Sequence, residues 1–371
     1  MHVYASASRM KAIVTAGGRG TRLRPITWTL NKHLIPLAGE PMLFNAFKKI
    51  AALGITEVAV NINPGDQEIA RVCGDGSRWG LRLTYVEQEG GSCGVGQIIY
   101  SARAFVGDED VLLYFGDNII LGSLRPFVEK FTREQLDCCL ALARVPDPER
   151  FGVPELHEGR LVGVEEKPQH PKSPFAVTGI YLYRASAYFN AFSHTRPSAR
   201  GEYEISDVHD WLIKNGDAVG YQEITGWWKD TGKPRDLLIG NQLLLNELSF
   251  EDAVVHPSVI LDSAVRLEGR VKIEAGTVLS GATVVRGPVV IGAGAQITDS
   301  FVGPHTSVGG RVKLTGAEIE HSILMEGAEV SAGGRITDSI IGADARVLSS
   351  ENGEWPSGRK LLVGESSVLE L

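Results

Sequence analysis

Residues 289–316, VVIGAGAQITDSFVGPHTSVGGRVKLTG, decide the architecture of the C-terminal part of the chain. Aliphatic residues recur here about every six positions, flanked by Gly, Ala and Ser. Working outward in both directions, the register runs through Val259, Val265, Val271, Val278, Val284, Val290, Ile297, Val302, Val308 and Leu314. It continues through Ile319, Leu324, Val330, Ile336, Ile341 and Val347. Such a repeat reads as a parallel β-helix, each coil burying its aliphatic position in a central stack while small residues make the tight corners. An irregular β-sandwich would show period-two alternation and hairpin signals instead. The coils are expected over residues 251–348. From Ser349 to Leu371 the repeat is lost, so 349–371 reads as a tail without a legible role.

Upstream of residue 250 the period changes. Short apolar runs alternate with helical patterns: KAIVTAG (11–17), the amphipathic PMLFNAFKKIAALG (41–54), TEVAVNI (56–62) and VLLYFGD (111–117). That alternation predicts a parallel, doubly wound α/β sheet over residues 11–250. A strand-richer stretch follows at 137–183, then helical patterns at SDVHDWLIKNG (206–216) and PRDLLIGNQLLLNEL (234–248). Residues 1–10, MHVYASASRM, read as an extension ahead of the fold.

The 371 residues suffice for two domains, and a net charge of −8 argues against a nucleic-acid groove, which needs a concentrated basic face. No run approaches the ~20 apolar residues of a membrane helix. The N-terminus lacks the charged and apolar regions of a signal peptide. Cys73, Cys93, Cys138 and Cys139 form no CxxC pair. A reduced, cytoplasmic protein without structural zinc is expected.

Four stretches carry chemistry. The first strand runs into Gly17-Gly18-Arg19-Gly20-Thr21-Arg22, with Lys32 beyond. Glycine-rich turns let backbone N–H groups approach phosphate oxygens, although a plain tight turn looks the same. Arg22 and Lys32 favour the phosphate, since they can neutralise a triphosphate. The dinucleotide and Walker patterns both fail, for want of a glycine at Leu23 and of Gly-Lys-Ser/Thr. Gly116-Asp117-Asn118 follows an apolar strand, where open α/β sheets bind ligands. Asp117 is either a magnesium ligand or part of a turn-forming Asp-Asn pair. Glu165-Glu166-Lys167-Pro168 offers a lysine for a phosphate, and Trp228-Lys229-Asp230-Thr231-Gly232 a second carboxylate; each reads equally as surface charge.

Together these pieces resemble the glucose-1-phosphate thymidylyltransferases of the sugar nucleotidylyltransferase family. AGGRGTRLRPIT, NKHLIPLAGEPML, GDN, DPERFGV, EEKP, AVTGIYLY, ARGEYEISD and WWKDTG occur in that family's order over roughly residues 11–245. With AEIEHSILMEGA inside the repeat, the chain looks like the long form found in deoxysugar pathways. The resemblance implies a Rossmann-like, doubly wound α/β catalytic domain followed by a left-handed parallel β-helix. It implies dTTP and glucose 1-phosphate as substrates, Mg2+ as cofactor, and dTDP-glucose and pyrophosphate as products. Gly17, Gly18, Gly20, Thr21, Arg22 and Lys32 would serve the nucleotide phosphates, and Gln88 and Gly94 the thymine edge. Asp117 and Asp230 would hold Mg2+. Asn118, Gly152, Glu166, Lys167, Val177 and Arg200 would bind the sugar phosphate. A β-helix edge also makes a homo-oligomer expected.

Two departures stand out. His33 replaces the glutamine usual after the motif lysine, and the loop after Gln88 reads EGGSCGVGQ (89–97) where a shorter, proline-containing loop is usual. Because that loop sits where the base would lie, UTP-dependent glucose-1-phosphate or N-acetylglucosamine-1-phosphate uridylyltransferases are the alternative reading. An exchange-factor-like assembly subunit is the non-enzyme alternative. For acyl transfer on the β-helix, His256, His305 and His321 read as scattered.

Overall fold

A computed structural model describes residues 10–88, 93–224, 228–331, 334–348 and 361–370. Most of the N-terminal extension, half of the 89–97 loop and the first part of the tail therefore lie outside the described residues. The chain forms two compact units: residues up to Gly18 with Leu43–Trp228, and Arg19–Met42 with everything from Lys229 onward. This division cuts across the sequence boundary near residue 250.

In the first unit, the runs that read as strands form the centre of one sheet. Met10–Thr15, Glu57–Ile62, Arg82–Glu87 and Asp110–Phe115 pair in parallel, in the order 110–115, 10–15, 57–62, 82–87. The intervening helices, such as Leu43–Ala52 with Leu43, Phe44, Ala46, Phe47 and Ile50 buried, supply the crossovers that parallel pairing needs. The sheet is mixed rather than wholly parallel. Phe175–Tyr183 runs antiparallel to 110–115 and to Cys138–Arg144, and Gly152–His157 pairs antiparallel with Arg160–Glu166. No α-helix lies between 144 and 175 to carry the chain back for parallel pairing.

The order of these strands positions the site. From 10–15 the chain steps to 57–62 and 82–87 on one side, then returns to 110–115 on the other. The switch point falls between 10–15 and 110–115, which end together with Thr15 opposite Phe115. Open α/β sheets bind ligands beyond the carboxyl ends at such a point, and Gly17 and Asp117 follow those two ends.

In the second unit, successive coils stack as three parallel sheets, the arrangement of a left-handed β-helix. Val271 lies beside Val289, Val289 beside Thr306, and Ile323 beside Ile340. The expected register holds from Ile297 through Val347, where every marked residue enters the buried core. Earlier it is one residue off in three places: the core takes Leu279, Val285 and Ile291, while Val278, Val284 and Val290 stay out of it. Each is one of an aliphatic pair, and a six-residue spacing does not say which member turns inward. The coils also continue into the expected tail. Leu362–Val363 pairs with Ile340–Ile341, and Val368–Glu370 with Arg346–Leu348. The longer interval between Val347 and Val363 hides this in the sequence.

Within the same unit, the helix Pro234–Asn246 packs on the coils through Asn241, which is fully buried. Its Oδ1 accepts from Ala38 N at 2.8 Å and from Ser307 Oγ at 2.6 Å, and its Nδ2 donates to His305 O at 3.0 Å. Gly39 takes a left-handed φ of 83°, and a Cβ there would lie 2.8 Å from Val290 Cγ1, so only glycine lets the 36–41 turn approach the coils.

Candidate active site

Two strand ends of the first unit meet at the switch point. Past Thr15, Ala16 N donates to Asn61 O at 2.7 Å, and a Cβ on Gly17 would stand 3.3 Å from Asn63 Oδ1. Gly18 follows, exposed. Past Phe115, Gly116 N donates to Thr15 O at 3.1 Å, which sets the half-buried Asp117 at the neighbouring strand end. Asn118 is buried, and its Nδ2 donates to Asp117 Oδ1 at 3.0 Å.

The two residues expected at the thymine edge meet. Gln88, buried just past the strand Arg82–Glu87, donates from Nε2 to Gly94 O at 2.8 Å. The described end of the 89–97 loop is pinned to 202–203: Tyr203 N donates to Cys93 O, and Gly96 N to Tyr203 O, each at 2.8 Å. Gly94 has a φ of 96°, and a Cβ there would lie 2.5 Å from Tyr203 O.

The sugar-phosphate candidates also gather. Sheet register sets Gly152 opposite both Glu166 and Val177. A Cβ on Gly152 would lie 3.4 Å from Glu166 Oε2 and 3.7 Å from Val177 Cβ. Lys167 holds a left-handed φ of 45°, its N donates to Phe151 O at 2.9 Å, and its Nζ meets Glu166 Oε1 at 2.9 Å. A non-glycine residue in that conformation is held there by its surroundings, a frequent mark of a binding site. Arg200 belongs to a different contact: its guanidinium donates twice to Glu204 Oε1, at 2.8 and 3.2 Å. That hydrogen bond raises the Arg200 pKa further above its ordinary value.

Gly20, Thr21, Arg22, Lys32 and Asp230 belong to the second unit. Gly20 takes a left-handed φ of 57° ahead of the short turn Thr21–Leu23 and is enclosed by Thr27 and Lys32, whose Cγ2 and Cβ would each stand 3.0 Å from a Cβ at position 20. Lys32 therefore flanks the glycine turn, as the sequence suggested. Arg22 and Asp230 meet at Gly232, where a Cβ would lie 2.9 Å from Arg22 Nη2 and 3.1 Å from Asp230 Oδ2. The unusual His33 is buried, its Nδ1 2.8 Å from Asn31 Oδ1, so it serves the local turn that carries Lys32.

Some groupings were not foreseen. Trp228 Nε1 donates to Asn118 Oδ1 at 2.5 Å. His305 and His321 are not scattered: their Nδ1 and Nε2 lie 3.3 Å apart on neighbouring coils. Their spacing of 16 residues, close to one coil, was the available signal. None of Cys73, Cys93, Cys138 and Cys139 is in a disulfide. Among the described residues no helix is long and apolar enough to cross a membrane.

A mixed α/β sheet with a switch point between 10–15 and 110–115, on a chain that continues into a β-helix, defines the class. Residues 11–247 match the nucleotidyl transferase family. The chain is similar to a glucose-1-phosphate thymidylyltransferase of Streptomyces griseus, 41% identical over 98% of this chain and 99% of that one. It is 38% identical to the low-salt glycan biosynthesis nucleotidyltransferase Agl11 of Haloferax volcanii, over 98% of this chain and 100% of the relative. A Bacillus anthracis protein assigned as a glucose-1-phosphate thymidylyltransferase and crystallised with a sucrose superposes with a TM-score of 0.60 at 38% identity, covering 65% of this chain and 97% of that one. The chain belongs to the nucleotidyl transferase family and, within it, to the glucose-1-phosphate thymidylyltransferases.

Proposed function

We propose that the protein transfers a thymidylyl group from dTTP to glucose 1-phosphate, releasing pyrophosphate and giving dTDP-glucose. The observation that carries this reading is the convergence of Gly152, Glu166, Lys167 and Val177 from neighbouring strands at one place on the sheet, the set expected to take the sugar phosphate. Full-length relatives with that name support it.

A phosphate monoester has a second pKa near ~6, so the attacking oxygen of the sugar phosphate is already anionic at neutral pH and needs no general base. That oxygen bonds to the α-phosphorus in line as the bond to the bridging oxygen breaks and pyrophosphate leaves. The protein's task is to bring two polyanions together. Gly17, Gly18, Gly20 and Thr21 bind the triphosphate, and Arg22 and Lys32 offset its charge. Gln88 and Gly94 take the thymine edge. Glu166 holds sugar hydroxyls beside Gly152 and Val177, while Lys167 takes the sugar phosphate. Arg200 joins Lys167 by exchanging Glu204 for that phosphate. Asn118 is assigned to the sugar-phosphate side.

Magnesium fits the donor set. Among the described residues no three His, Cys, Asp or Glu side chains form a closed metal site. Mg2+ is ordinarily held by only one or two carboxylates together with substrate phosphates. Asp117 and Asp230 would hold it, and when bound it would neutralise charge on the triphosphate. The same reading includes a cytoplasmic homo-oligomer. Val254, Ile260 and Leu261 on the first coil are 47%, 60% and 42% exposed, an apolar edge that a second copy would cover.

Pyrophosphate release with Mg2+, measured for dTTP, UTP, CTP, GTP and ATP against glucose 1-phosphate and N-acetylglucosamine 1-phosphate, tests the assignment. Fastest turnover with dTTP and glucose 1-phosphate is expected. Preference for another pair moves the specificity to the 89–97 loop, and no release with any pair removes the enzymatic reading.

A further inference from the structure

Asn118 presents an amide whose polar atoms are all engaged. Its Oδ1 accepts from Trp228 Nε1 at 2.5 Å and from Gly179 N at 3.3 Å, and its Nδ2 donates to Asp117 Oδ1 at 3.0 Å. Its backbone oxygen accepts from Tyr114 Oη at 3.2 Å. The orientation of an amide is decided by its partners. An indole N–H and a backbone N–H can only donate, so both demand the amide oxygen. The NH2 group is then forced toward Asp117, whose carboxylate can only accept. Were the amide reversed, two donors would face its NH2, and the carboxylate would face its oxygen.

The indole is itself held. Trp228 packs edge-on against Phe151, with ring centroids 5.2 Å apart, and Phe151 O accepts the Lys167 N–H. Gly179 comes close enough to donate because it lacks a side chain: a Cβ there would lie 2.5 Å from the Phe115 ring. Residues from three places in the sequence thus converge on one side-chain amide with a single hydrogen-bonded consequence, a fixed Asp117 carboxylate.

We propose that Trp228 is a positioning residue: through the amide of Asn118 it fixes the Asp117 carboxylate in its metal-holding orientation. This rests on the reading of Asp117 as a Mg2+ ligand. Partners that orient a metal ligand from behind typically contribute about 10–100-fold in affinity. Trp228→Phe keeps a ring against Phe151 and removes only the N–H, so the amide oxygen loses the closer of its two donors and is held by Gly179 N alone.

The test is Mn2+ binding to the full chain, followed by water-proton relaxation with the metal alone, for wild type, Trp228→Phe, Asp117→Asn and the double variant. Trp228→Phe is expected to weaken Mn2+ about tenfold. It should raise the Mg2+ concentration for half-maximal turnover by a similar factor while kcat at saturating Mg2+ and KM for glucose 1-phosphate stay near wild type. In the Asp117→Asn background the same change should have no further effect on Mn2+ binding, because it acts through that carboxylate. An equal loss in both backgrounds overturns the proposal, as does a raised KM for glucose 1-phosphate with metal dependence unchanged. If Asp117→Asn binds Mn2+ like wild type, the metal-ligand reading falls and takes this inference with it. If Asp117→Asn loses the metal and Trp228→Phe does not, this inference alone falls. A melting temperature near wild type for Trp228→Phe separates these outcomes from misfolding.

Discussion

Replacing Asn241 with leucine probes how the helix Pro234–Asn246 is fastened to the coils. The two side chains are similar in volume, so the change leaves little cavity; what it removes is three hydrogen bonds. Ser307 Oγ loses its acceptor, Ala38 N loses another, and His305 O loses its donor. Ser307 is 2% exposed, so its hydroxyl keeps the full cost of burial, whereas Ala38 and His305 are half-buried and can recover part from water. A buried polar group left without its partner costs about 1–3 kcal/mol, and a half-exposed one less, which gives about 3–5 kcal/mol in total. At roughly 2–4 °C per kcal/mol for a unit of this size, the corresponding transition should fall by about 10 °C. Asn241→Asp keeps both acceptor contacts but sets a carboxylate oxygen against His305 O in a fully buried place, so a loss at least as large is expected. Differential scanning calorimetry, with the transitions of the two units resolved, reads both values. A loss below about 1 kcal/mol for Asn241→Leu would refute the view that this network fastens the helix to the coils, because any one orphaned group should cost that much.

Three further outcomes follow from individual residues. Gly232→Ala places a methyl group 2.9 Å from Arg22 Nη2 and 3.1 Å from Asp230 Oδ2, so both must shift; kcat should fall about 100-fold with the melting temperature nearly unchanged, since small misplacements of catalytic groups cost that much. Gly94→Ala sets a Cβ 2.5 Å from Tyr203 O at a φ of 96°, and should raise KM for the nucleotide more than for glucose 1-phosphate in initial-rate kinetics. His209 is fully buried beside Tyr183 Oη, and burial pushes its pKa down to about 3 from 6.5. The unfolded chain therefore takes up a proton below pH 6.5 that the folded chain refuses, so stability falls as the pH drops through that range. Between pH 7 and pH 5 the His209 share should be about 2 kcal/mol, read as the difference in urea-denaturation slopes against pH between wild type and His209→Gln; identical pH dependences would remove His209 from the account.

How much of this was legible depended on whether a feature is periodic or contingent. The coils were legible because stacking imposes the same demand at each turn, so one register covers Ile297 through Val347. It slipped only where two aliphatic residues stand together, as at Val290 and Ile291, where spacing does not choose the inward one. The parallel strands were legible from their alternation with helices. The antiparallel partner Phe175–Tyr183 was not, because direction is set by the connection and not by the strand's own residues. The site followed the same division. Gly20 beside Lys32 lies within one short stretch, and its pattern was readable. Arg22 beside Asp230, and Asn118 beside Trp228, join residues more than a hundred positions apart, and no spacing rule reports such pairs.

The histidines show where these two kinds of information meet. His305 and His321 look unrelated as isolated residues, yet the β-helix makes separation in sequence a measure of distance in space. Any two residues one coil apart are neighbours, as Val289 and Thr306 are, or Val308 and Leu324. Once the repeat is accepted, a spacing of 16 is a contact, and the edge-on pair, with ring centroids 4.8 Å apart, follows from the same regularity that identified the fold. The β-helix is therefore the part of this chain in which side-chain neighbours, and not only secondary structure, can be read directly from the sequence.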